Sequence, residues 1–287
     1  MATSERLGAA WAAVRRRPQL SVGMGIAVVV AALCIVVPLV SPYSTTAFVA
    51  QPFLPPSAAH PFGTDDFGRD VFARTFAAGR LDLAIATFAI VASCLGGTIL
   101  GVLSGATRLR WLDSLLMGFV DAVVAFPFIV LILALVVVFG STQSLGPLPA
   151  GVPSLLIAIL LTDWVIYARL GRAETLSLRQ ADFVVAARVA GCSPARVILR
   201  HLIPNVISVS AAYAVADGIL VIIATASLPF LGAGVQPPAP EWGNMMFEGQ
   251  AYLATSWWIT LCPAAVLAVT GLGVMLAADS LLARKRR

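Results

Sequence analysis

The sequence predicts an all-α integral membrane protein with six transmembrane helices, a helix–turn–helix loop on the cytoplasmic side and both termini in the cytoplasm. Three observations support this prediction: the composition, the length of the apolar runs and the distribution of arginine. Of the 287 residues, 59% are apolar and 11% are charged, and the mean hydropathy is +0.92. Soluble domains carry about 25% charged residues, so this chain has too little polar surface to enclose a water-soluble core.

The apolar runs predict the number of spans. A helix needs about 20 apolar residues to cross about 30 Å of hydrocarbon. Six runs approach or exceed this length, although the fourth must extend into its flanks, and they cover residues 20–39, 81–106, 114–139, 154–168, 206–231 and 257–282. Helices are favoured over barrel strands, which are about 10 residues long and alternate in hydrophobicity. Pro127 and Pro263 are expected to kink their spans.

The basic residues predict the orientation. With a cytoplasmic N-terminus, sixteen basic residues fall inside and three fall outside, in agreement with the positive-inside rule. The inside set is Arg6, Arg15, Arg16, Arg17, Arg108, Arg110, Arg169, Arg172, Arg179, Arg188, Arg196, Arg200, Arg284, Lys285, Arg286 and Arg287, and the outside set is Arg69, Arg74 and Arg80. Anionic headgroups of the inner leaflet then account for the net charge of +5, and no nucleic acid is expected as a partner.

Few side chains are suited to catalysis. Lys285 is the single lysine and no G-x-x-x-x-G-K-[ST] motif is present, so ATP-driven work would have to come from a partner. The two histidines, His60 and His201, form no metalloprotease motif, and no G-x-S-x-G motif occurs. The four cysteines lack C-x-x-C spacing and are interpreted as small buried residues. No catalytic or metal-binding residue is predicted, and a membrane enzyme is disfavoured.

The stretch ADFVVAARVAGCSPARVILRHLIPN, residues 181–205, interrupts the apolar pattern. Residues 182–190 predict a short helix whose alanines leave one side smooth, and Gly191 is typical of a helix end. Ser193 is a suitable N-cap and Pro194 suits the first helical position, which predicts a second helix running to residue 204. Composition alone favours an amphipathic hairpin on the bilayer surface. The alternative is a docking surface for another protein.

Two further segments are predicted on the outer side. Residues 43–80 are rich in proline and then in aspartate, arginine and glycine, a composition suited to turns and local ion pairs in water. Residues 236–242, QPPAPEW, turn between the fifth and sixth spans, with prolines that favour a stiff extended backbone. Together the two segments would line the outer mouth of the bundle.

Four aspartates lie in or near the spans. Asp121, Asp163 and Asp279 are expected toward the cytoplasmic ends, where water or nearby arginines compensate their charge. Asp217 lies about 12 residues into the fifth span, where an unpaired carboxylate costs several kcal/mol and must face protein or a wet cavity. A structural hydrogen bond and contact with a cationic substrate group are both open for Asp217.

Three glycines repeat every four residues on one face of the second span, at positions 97, 101 and 105. Small residues at this spacing permit close approach of a second helix. Packing within the bundle or against a partner is favoured over a hinge.

The stretch at 181–205 resembles the "EAA" cytoplasmic loop of permease subunits of binding-protein-dependent ABC importers. The matching residues are Ala186, Ala187, Gly191, His201, Pro204 and Asn205. In that family the loop is the coupling helix, which docks in a cleft of the ATPase subunit. Val185 stands where the family has glutamate, and Asp182 lies one turn earlier as a partial replacement.

Four other segments narrow the resemblance to the C-type permease subunit of dipeptide and oligopeptide importers, a group that includes nickel importers. They are HPFGTDDFGRDVFART from residue 60, VDAVVAFPFIVLILAL from residue 120, WVIYARLGRAETLSLR from residue 164 and SLPFLGAGVQPPAPEWGNMMFEG from residue 227. The resemblance covers nearly the whole chain after residue 55. It implies a permease domain at 81–287, with a coupling loop at 174–205, preceded at 1–80 by a tail, the first span and an extracytoplasmic segment.

The resemblance also implies site residues. The ATPase-coupling set comprises Asp182, Phe183, Val185, Ala186, Ala187, Arg188, Gly191, Ser193, Pro194, Arg196, Arg200, His201, Pro204 and Asn205. The mouth that would face a binding protein comprises Asp65, Asp66, Arg69, Asp70, Gln236, Pro237, Pro238, Glu241 and Trp242. A structural cap is the alternative role for this mouth. Asp217 is the candidate pathway residue.

The implied assembly lies in the bacterial plasma membrane. It pairs this chain with a homologous permease, two ATPase subunits that bind ATP and Mg, and an extracytoplasmic binding protein, while this chain itself holds no cofactor. Peptides are the expected substrates, with nickel or another small solute as the alternative. A secondary transporter that uses Asp217, Asp163 or Asp121 as an ion relay is the main rival, but such carriers commonly show an internal repeat, which is not visible here.

Overall fold

The computed structural model describes residues 18–107, 109–140, 142 and 144–282. The basic residues counted above at the two ends of the chain, and Arg108, lie outside this part. The described residues are helical, with two isolated β-bridges and no β-strand. The predicted all-α class is therefore confirmed.

The helices follow one another in the order α1 (Pro18–Val40), α2 (Val71–Ala106), α3 (Arg110–Val124), α4 (Phe128–Phe139), α5 (Val152–Leu178), α6 (Asp182–Val189), α7 (Pro194–Val197), α8 (Ile203–Ser227), α9 (Trp242–Gly249) and α10 (Trp258–Leu282). A π-helical turn, Ile198–Leu202, joins α7 to α8. Short 3-10 turns follow α8 at Leu228–Leu231 and α9 at Gln250–Tyr252.

Five helical stretches in the described part of the chain are long and apolar enough to cross a membrane, and a sixth crossing results if α3 and α4 count as one bent span. The stretches are Pro18–Val40, Val71–Ala106, Val152–Leu178, Pro194–Leu231 and Trp258–Leu281. The fourth predicted span extends into both flanks, as expected. Pro263 lies inside α10, which continues through it.

The third predicted span is not one straight helix. The sequence predicts a single run at 114–139, but α3 and α4 meet at an angle of 92°. Pro127 has extended backbone, with φ −58° and ψ 126°. Proline lacks an N–H to donate and disfavours helical backbone at the residue before it, so the helix ends before residue 127 and restarts after it.

The core of the bundle is the packing of α2 against α5, which is the most extensive helix contact in the fold. A Cβ added at Gly97 would lie 2.2 Å from the Trp164 carbonyl oxygen, and one at Gly101 would lie 2.2 Å from the Ala168 carbonyl oxygen. One at Gly105 would lie 3.0 Å from the Arg172 carbonyl oxygen. The predicted close-contact role of this glycine face is confirmed, and its partner is a helix of the same chain.

The two ends of the bundle are distinguished by loop contacts. At one end, the Trp258 indole N–H donates to the Thr64 carbonyl at 3.1 Å, and the Gln236 backbone N–H donates to the Ala150 carbonyl at 2.9 Å. At the other end, the Arg179 guanidinium donates to the Gly105 carbonyl at 2.7 Å. We call these the loop end and the hairpin end, because α6 and α7 lie at the second.

The glycine face can be tested by a matched pair of alanine substitutions. Gly101→Ala is expected to destabilise the fold by about 1–3 kcal/mol, because its methyl group would overlap the backbone of α5. Gly96→Ala is expected to be neutral or stabilising, because no atom lies within 4 Å of its Cβ position and alanine favours helix by about 1 kcal/mol. Thermal unfolding in detergent measures both, and equal melting temperatures would contradict the packing described here.

Candidate coupling surface and membrane cavity

The hairpin, formed by α6 and α7, has the local structure that its sequence predicts. The Ser193 hydroxyl accepts from the Arg196 amide at 3.4 Å at the start of α7. Gly191 has φ +80°, a left-handed conformation that glycine adopts without strain. The Cys192 amide donates to the Ala187 carbonyl at 3.0 Å, which closes the end of α6. The turn between the two helices is therefore tight and is held by one side-chain cap and one backbone hydrogen bond.

The second hairpin helix does not end at Pro204 as predicted. It passes through the π-helical turn into α8, so that residues Pro194–Leu231 form one continuous stretch. Proline is tolerated in the first turn of a helix, where its missing N–H has no intrahelical acceptor in any case. Pro204 lies in the first turn of α8, but that turn continues the preceding helix, so Pro204 is accommodated by the π-helical turn Ile198–Leu202, which already interrupts the regular i→i−4 bonding.

One side of the hairpin packs on the bundle. Val184 of α6 and Val197 of α7 are buried with Val102 of α2 and Leu202 and Val206 beside them. This apolar cluster fixes the hairpin against the ends of α2 and α8. The hairpin is therefore packed as an extension of the bundle.

The other side of the hairpin is exposed. Val189 is 84% exposed and Phe183 and Val185 are 44% and 45% exposed. The predicted coupling residues that are also exposed are Asp182, Ala186, Arg188, Gly191, Ser193, Pro194, Arg196, Arg200, Pro204 and Asn205, while Ala187 and His201 are half-buried. This surface combines apolar and basic side chains on a rigid base.

Ion pairs hold α3 against α5 near the hairpin. Arg172 donates to both oxygens of Asp113 at 2.6 Å, and the Ser104 hydroxyl of α2 donates to the same carboxylate. Arg169 donates to Asp121 at 2.6 Å, so the expectation that an arginine compensates Asp121 is confirmed. Asp279 is exposed.

A buried ionic network lies at the loop end. Arg69 donates to Asp65 at 2.6 Å and to Glu248 at 3.4 Å, and it lies 3.8 Å from Asp66. Arg74 joins the network through Asp65 at 3.5 Å. Burial raises the pKa of Glu248, while Arg69 and Arg74 lower it to a smaller extent.

A second set of contacts at this end caps helices. The Asp70 carboxylate accepts from the Ala73 amide at the start of α2 and pairs with His60 at 2.7 Å. The Glu241 carboxylate accepts from the Gly243 and Asn244 amides at the start of α9. The Trp242 indole donates to the Thr75 carbonyl at 2.8 Å. These bonds join the loops to the bundle.

The predicted mouth residues are thus divided between interior and surface. Pro237 and Pro238 are exposed, and Asp66 and Gln236 are half-buried. The other five, Asp65, Arg69, Asp70, Glu241 and Trp242, are buried. In this chain the buried five contribute to the architecture, and the four exposed or half-buried residues keep accessible surface.

A cavity of about 530 Å³ lies between the α3–α4 break, α5 and α8. Phe126, Pro127 and Phe128 of the break form one wall, and the polar side chains of the lining are Thr162, Asp163, Tyr213 and Asp217. Large apolar side chains around it are exposed, including Leu220 at 56%. The cavity therefore opens on one face of the bundle.

Asp217 and Asp163 come together in this cavity. The Tyr167 hydroxyl donates to Asp217 Oδ2 at 2.7 Å, and Asp163 interacts with Asp217. Asp163 is 3% exposed and its Oδ2 has no hydrogen-bond partner among the described residues. The sequence expectation for Asp163 was wrong, because no arginine pairs with it in the described part of the chain and its neighbour is another carboxylate.

Sequence reasoning identified Asp217 and missed its neighbours. Tyr167 follows Asp163 by four residues, which places both on one face of α5. That spacing is visible in the sequence, but nothing in it shows that this face meets Asp217. Sequence reasoning also missed a buried hydrogen bond of 2.7 Å from the Thr98 hydroxyl to the Ser210 hydroxyl, which joins α2 to α8.

Residues 97–287, more than half of the chain, match the family described as binding-protein-dependent transport system inner membrane component. The chain belongs to this family. It is therefore a permease component of an ABC transporter in the bacterial inner membrane, and such components work with ATPase and substrate-binding partners.

Curated relatives cover most of the chain. The dipeptide transport system permease protein DppC of Alkalihalophilus pseudofirmus is 35% identical over 226 residues, which cover 79% of this chain and 71% of the relative. A provisionally named peptide transport system permease protein of Brucella suis is 35% identical over 272 residues, covering 93% of this chain and 86% of the relative. A provisionally named peptide permease protein of Brucella ovis is 36% identical over 228 residues, covering 79% and 72% respectively.

The buried Glu241 predicts a pH dependence of stability. Burial raises the pKa of Glu241 to about 7 from 4.5, although two amide donors oppose the shift. The folded protein favours the neutral acid. The contribution of Glu241 to the free energy of unfolding is therefore fully present below about pH 4.5 and is lost as the pH rises toward 7. The melting temperature of the wild type should fall over this window.

Glu241→Gln should reduce that fall because glutamine cannot ionise, although it keeps only one oxygen for the two amides that bond to the carboxylate. Melting temperatures in detergent between pH 5 and pH 8 provide the measurement. Glu174→Gln, at a half-buried position away from Glu241, is the control. Its melting temperature should change with pH as steeply as that of the wild type. A slope that Glu241→Gln leaves unchanged would show that Glu241 is not its source.

Proposed function

We propose that this chain forms half of the translocation pathway of an ATP-driven importer of dipeptides or oligopeptides. One observation carries the proposal: the cavity with two buried carboxylates lies on helices that lead directly to the exposed hairpin. The names of the relatives supply the substrate class, because they are dipeptide or peptide transport permeases.

The helix connections favour a mechanical link. Asp163 is 15 residues from the end of α5 at Leu178, which is about 22 Å at 1.5 Å per residue. Asp217 belongs to the continuous stretch that begins at Pro194 in the hairpin. A displacement of the hairpin would therefore reach both carboxylates through rigid helices.

The open face of the cavity favours a second permease as its cover. Carboxylates in contact with lipid cost several kcal/mol, so the open side of the cavity that Asp163 and Asp217 line has to meet protein or a wet pathway. Apolar side chains around the opening, such as Leu220 and Ile223, suit contact with another set of helices. A homologous permease in a heterodimer fits this face, and the two chains together would enclose the pathway.

ATP and Mg are assigned to two partner ATPase subunits, and this chain is assigned no catalytic step. The exposed hairpin is the surface on which they would dock, with Phe183, Val185 and Val189 as apolar contacts. Its arginines favour a cytoplasmic position for the hairpin end under the positive-inside rule. ATP binding would draw the ATPases together, the hairpins would follow, and the spans would rock between outward and inward access.

The loop end would then receive the extracytoplasmic binding protein. Pro237, Pro238, Gln236 and Asp66 are the predicted mouth residues with accessible surface. The buried ionic network below them keeps this surface in place. A peptide released there enters between the two permeases.

Peptide uptake into proteoliposomes tests the function as a whole. The complex of this chain with its partner permease, ATPases and binding protein is expected to accumulate labelled tripeptide only when ATP and binding protein are both supplied. Uptake that needs no ATP and is abolished by collapsing an ion gradient would instead support the secondary transporter.

If the hairpin docks on the ATPase subunits, one substitution on its exposed surface should strongly reduce their binding. Val189→Asp adds a carboxylate at an 84% exposed position, so the fold is preserved while an apolar contact with the ATPases is lost. ATPase co-purification should fall at least about tenfold.

Leu145→Asp is the matched control, since Leu145 is an exposed aliphatic residue in the α4–α5 connection, away from the hairpin. It should retain the ATPase subunits. Equal retention of the ATPase subunits by the two variants would contradict the proposed contact between the hairpin and the ATPases.

A further inference from the structure

The membrane cavity contains an electrostatic arrangement that general permease function does not require. Two carboxyl groups, those of Asp163 and Asp217, line the same space and interact with each other. No lysine, arginine or histidine lines the cavity in the part of the chain that the structure describes. The pair therefore has no basic partner within its own walls.

The two carboxyl groups differ in how they are satisfied. Asp217 Oδ2 receives the Tyr167 hydroxyl at 2.7 Å. The polar neighbours of Asp163, which is 97% buried, are the Ser93 hydroxyl and the Asp217 carboxyl group, but Asp163 Oδ2 makes no hydrogen bond within the described residues. A buried acceptor without a donor is costly, and two adjacent carboxyl groups in a low-dielectric site either share a proton or hold a cation between them. An unfilled donor position thus lies at the cavity wall.

An ammonium group fits this position better than a metal ion does. Ammonium supplies three N–H donors and one positive charge, which suits two carboxylates with one oxygen already occupied. Divalent ions in proteins usually take more ligands from the protein, and the described residues hold no group of three or more metal-ligating side chains.

The rest of the lining suits the organic part of a cationic solute. Tyr213, Phe126 and Phe128 present aromatic groups to the cavity, and aromatic faces attract cations and apolar side chains. The volume of about 530 Å³ lies within the range of about 300–1,000 Å³ typical of small-molecule sites.

We infer that Asp163 and Asp217, with Tyr167 positioning Asp217, form a site in the membrane for the α-ammonium group of the transported peptide. This inference rests on the proposed peptide transport. It assigns the permease a direct contact with its substrate. The site would select among solutes after the binding protein has released them.

Equilibrium dialysis with the purified complex, in the absence of binding protein, tests the site directly. The probes are labelled Ala-Phe-Ala, its desamino analogue propanoyl-Phe-Ala, and propanoyl-Phe-Lys, which carries an ammonium only on its side chain. Both the nucleotide-free and the vanadate-trapped complexes are used. The wild type should bind Ala-Phe-Ala in at least one of these states with a Kd at least about tenfold below that of propanoyl-Phe-Ala.

Asp163→Asn and Asp217→Asn should each remove this preference, and Tyr167→Phe should reduce it. Asp82→Asn is the matched control, because Asp82 is 3% exposed in α2 and does not line the cavity. The Trp242 backbone N–H donates a hydrogen bond to the Asp82 carboxylate at 3.0 Å, and asparagine keeps an oxygen that can accept it. Co-purification of the ATPases confirms that each variant is assembled.

Three results would overturn the inference: no binding of Ala-Phe-Ala in either state, equal binding of Ala-Phe-Ala and propanoyl-Phe-Ala, or a preference that survives both aspartate substitutions. A preference for propanoyl-Phe-Lys over Ala-Phe-Ala would assign the site to side-chain ammonium groups and would also reject the α-ammonium. Any of these outcomes together with ATP-dependent peptide uptake would leave the proposed function intact. Absence of that uptake would remove the proposed function itself.

Discussion

The close packing of α2 on α5 is the constraint on which the rest of the structure depends. Gly97 and Gly101 bring the α2 backbone against the carbonyl oxygens of α5, and no side chain would fit between them. This contact sets where the face of α5 with Asp163 and Tyr167 lies. The Thr98–Ser210 hydrogen bond then joins α2 to α8 at 2.7 Å, so that Asp217 reaches Tyr167. The polar centre of the membrane domain is therefore a consequence of helix packing between small residues.

The same helices connect that centre to the surface. The α5 helix leads into the hairpin, and the second hairpin helix continues into α8 without a break. An apolar cluster that includes Val102 and Val184 ties the hairpin to the bundle. At the loop end, the Arg69 network and the Glu241 cap hold the loops to α2 and α9. Between these two ends, the span bent at Pro127 lines the cavity, and the Arg169–Asp121 and Arg172–Asp113 pairs hold α3 against α5.

Sequence reasoning predicted what depends on composition and local chemistry. The spans follow from hydrophobicity, the hairpin turn from Ser193 and Gly191, and the close contact from the glycine spacing. The 92° bend was only partly foreseen, because proline indicates a kink without giving its angle. The pairing of Asp163 with Asp217 and the burial of Trp242 were missed, since both depend on contacts between residues 54 and 160 positions apart. Such contacts leave no local pattern in one sequence.

The central claim is that movement of the hairpin changes the side of the membrane from which the cavity can be reached. In a variant without the four native cysteines, Leu220→Cys places one thiol in the cavity lining. A membrane-impermeant thiol reagent is applied to either side of the reconstituted complex. The account predicts that labelling from one side without nucleotide changes to labelling from the other side with ATP and vanadate. A thiol that reacts from neither side in both states, or equally in both, would contradict it.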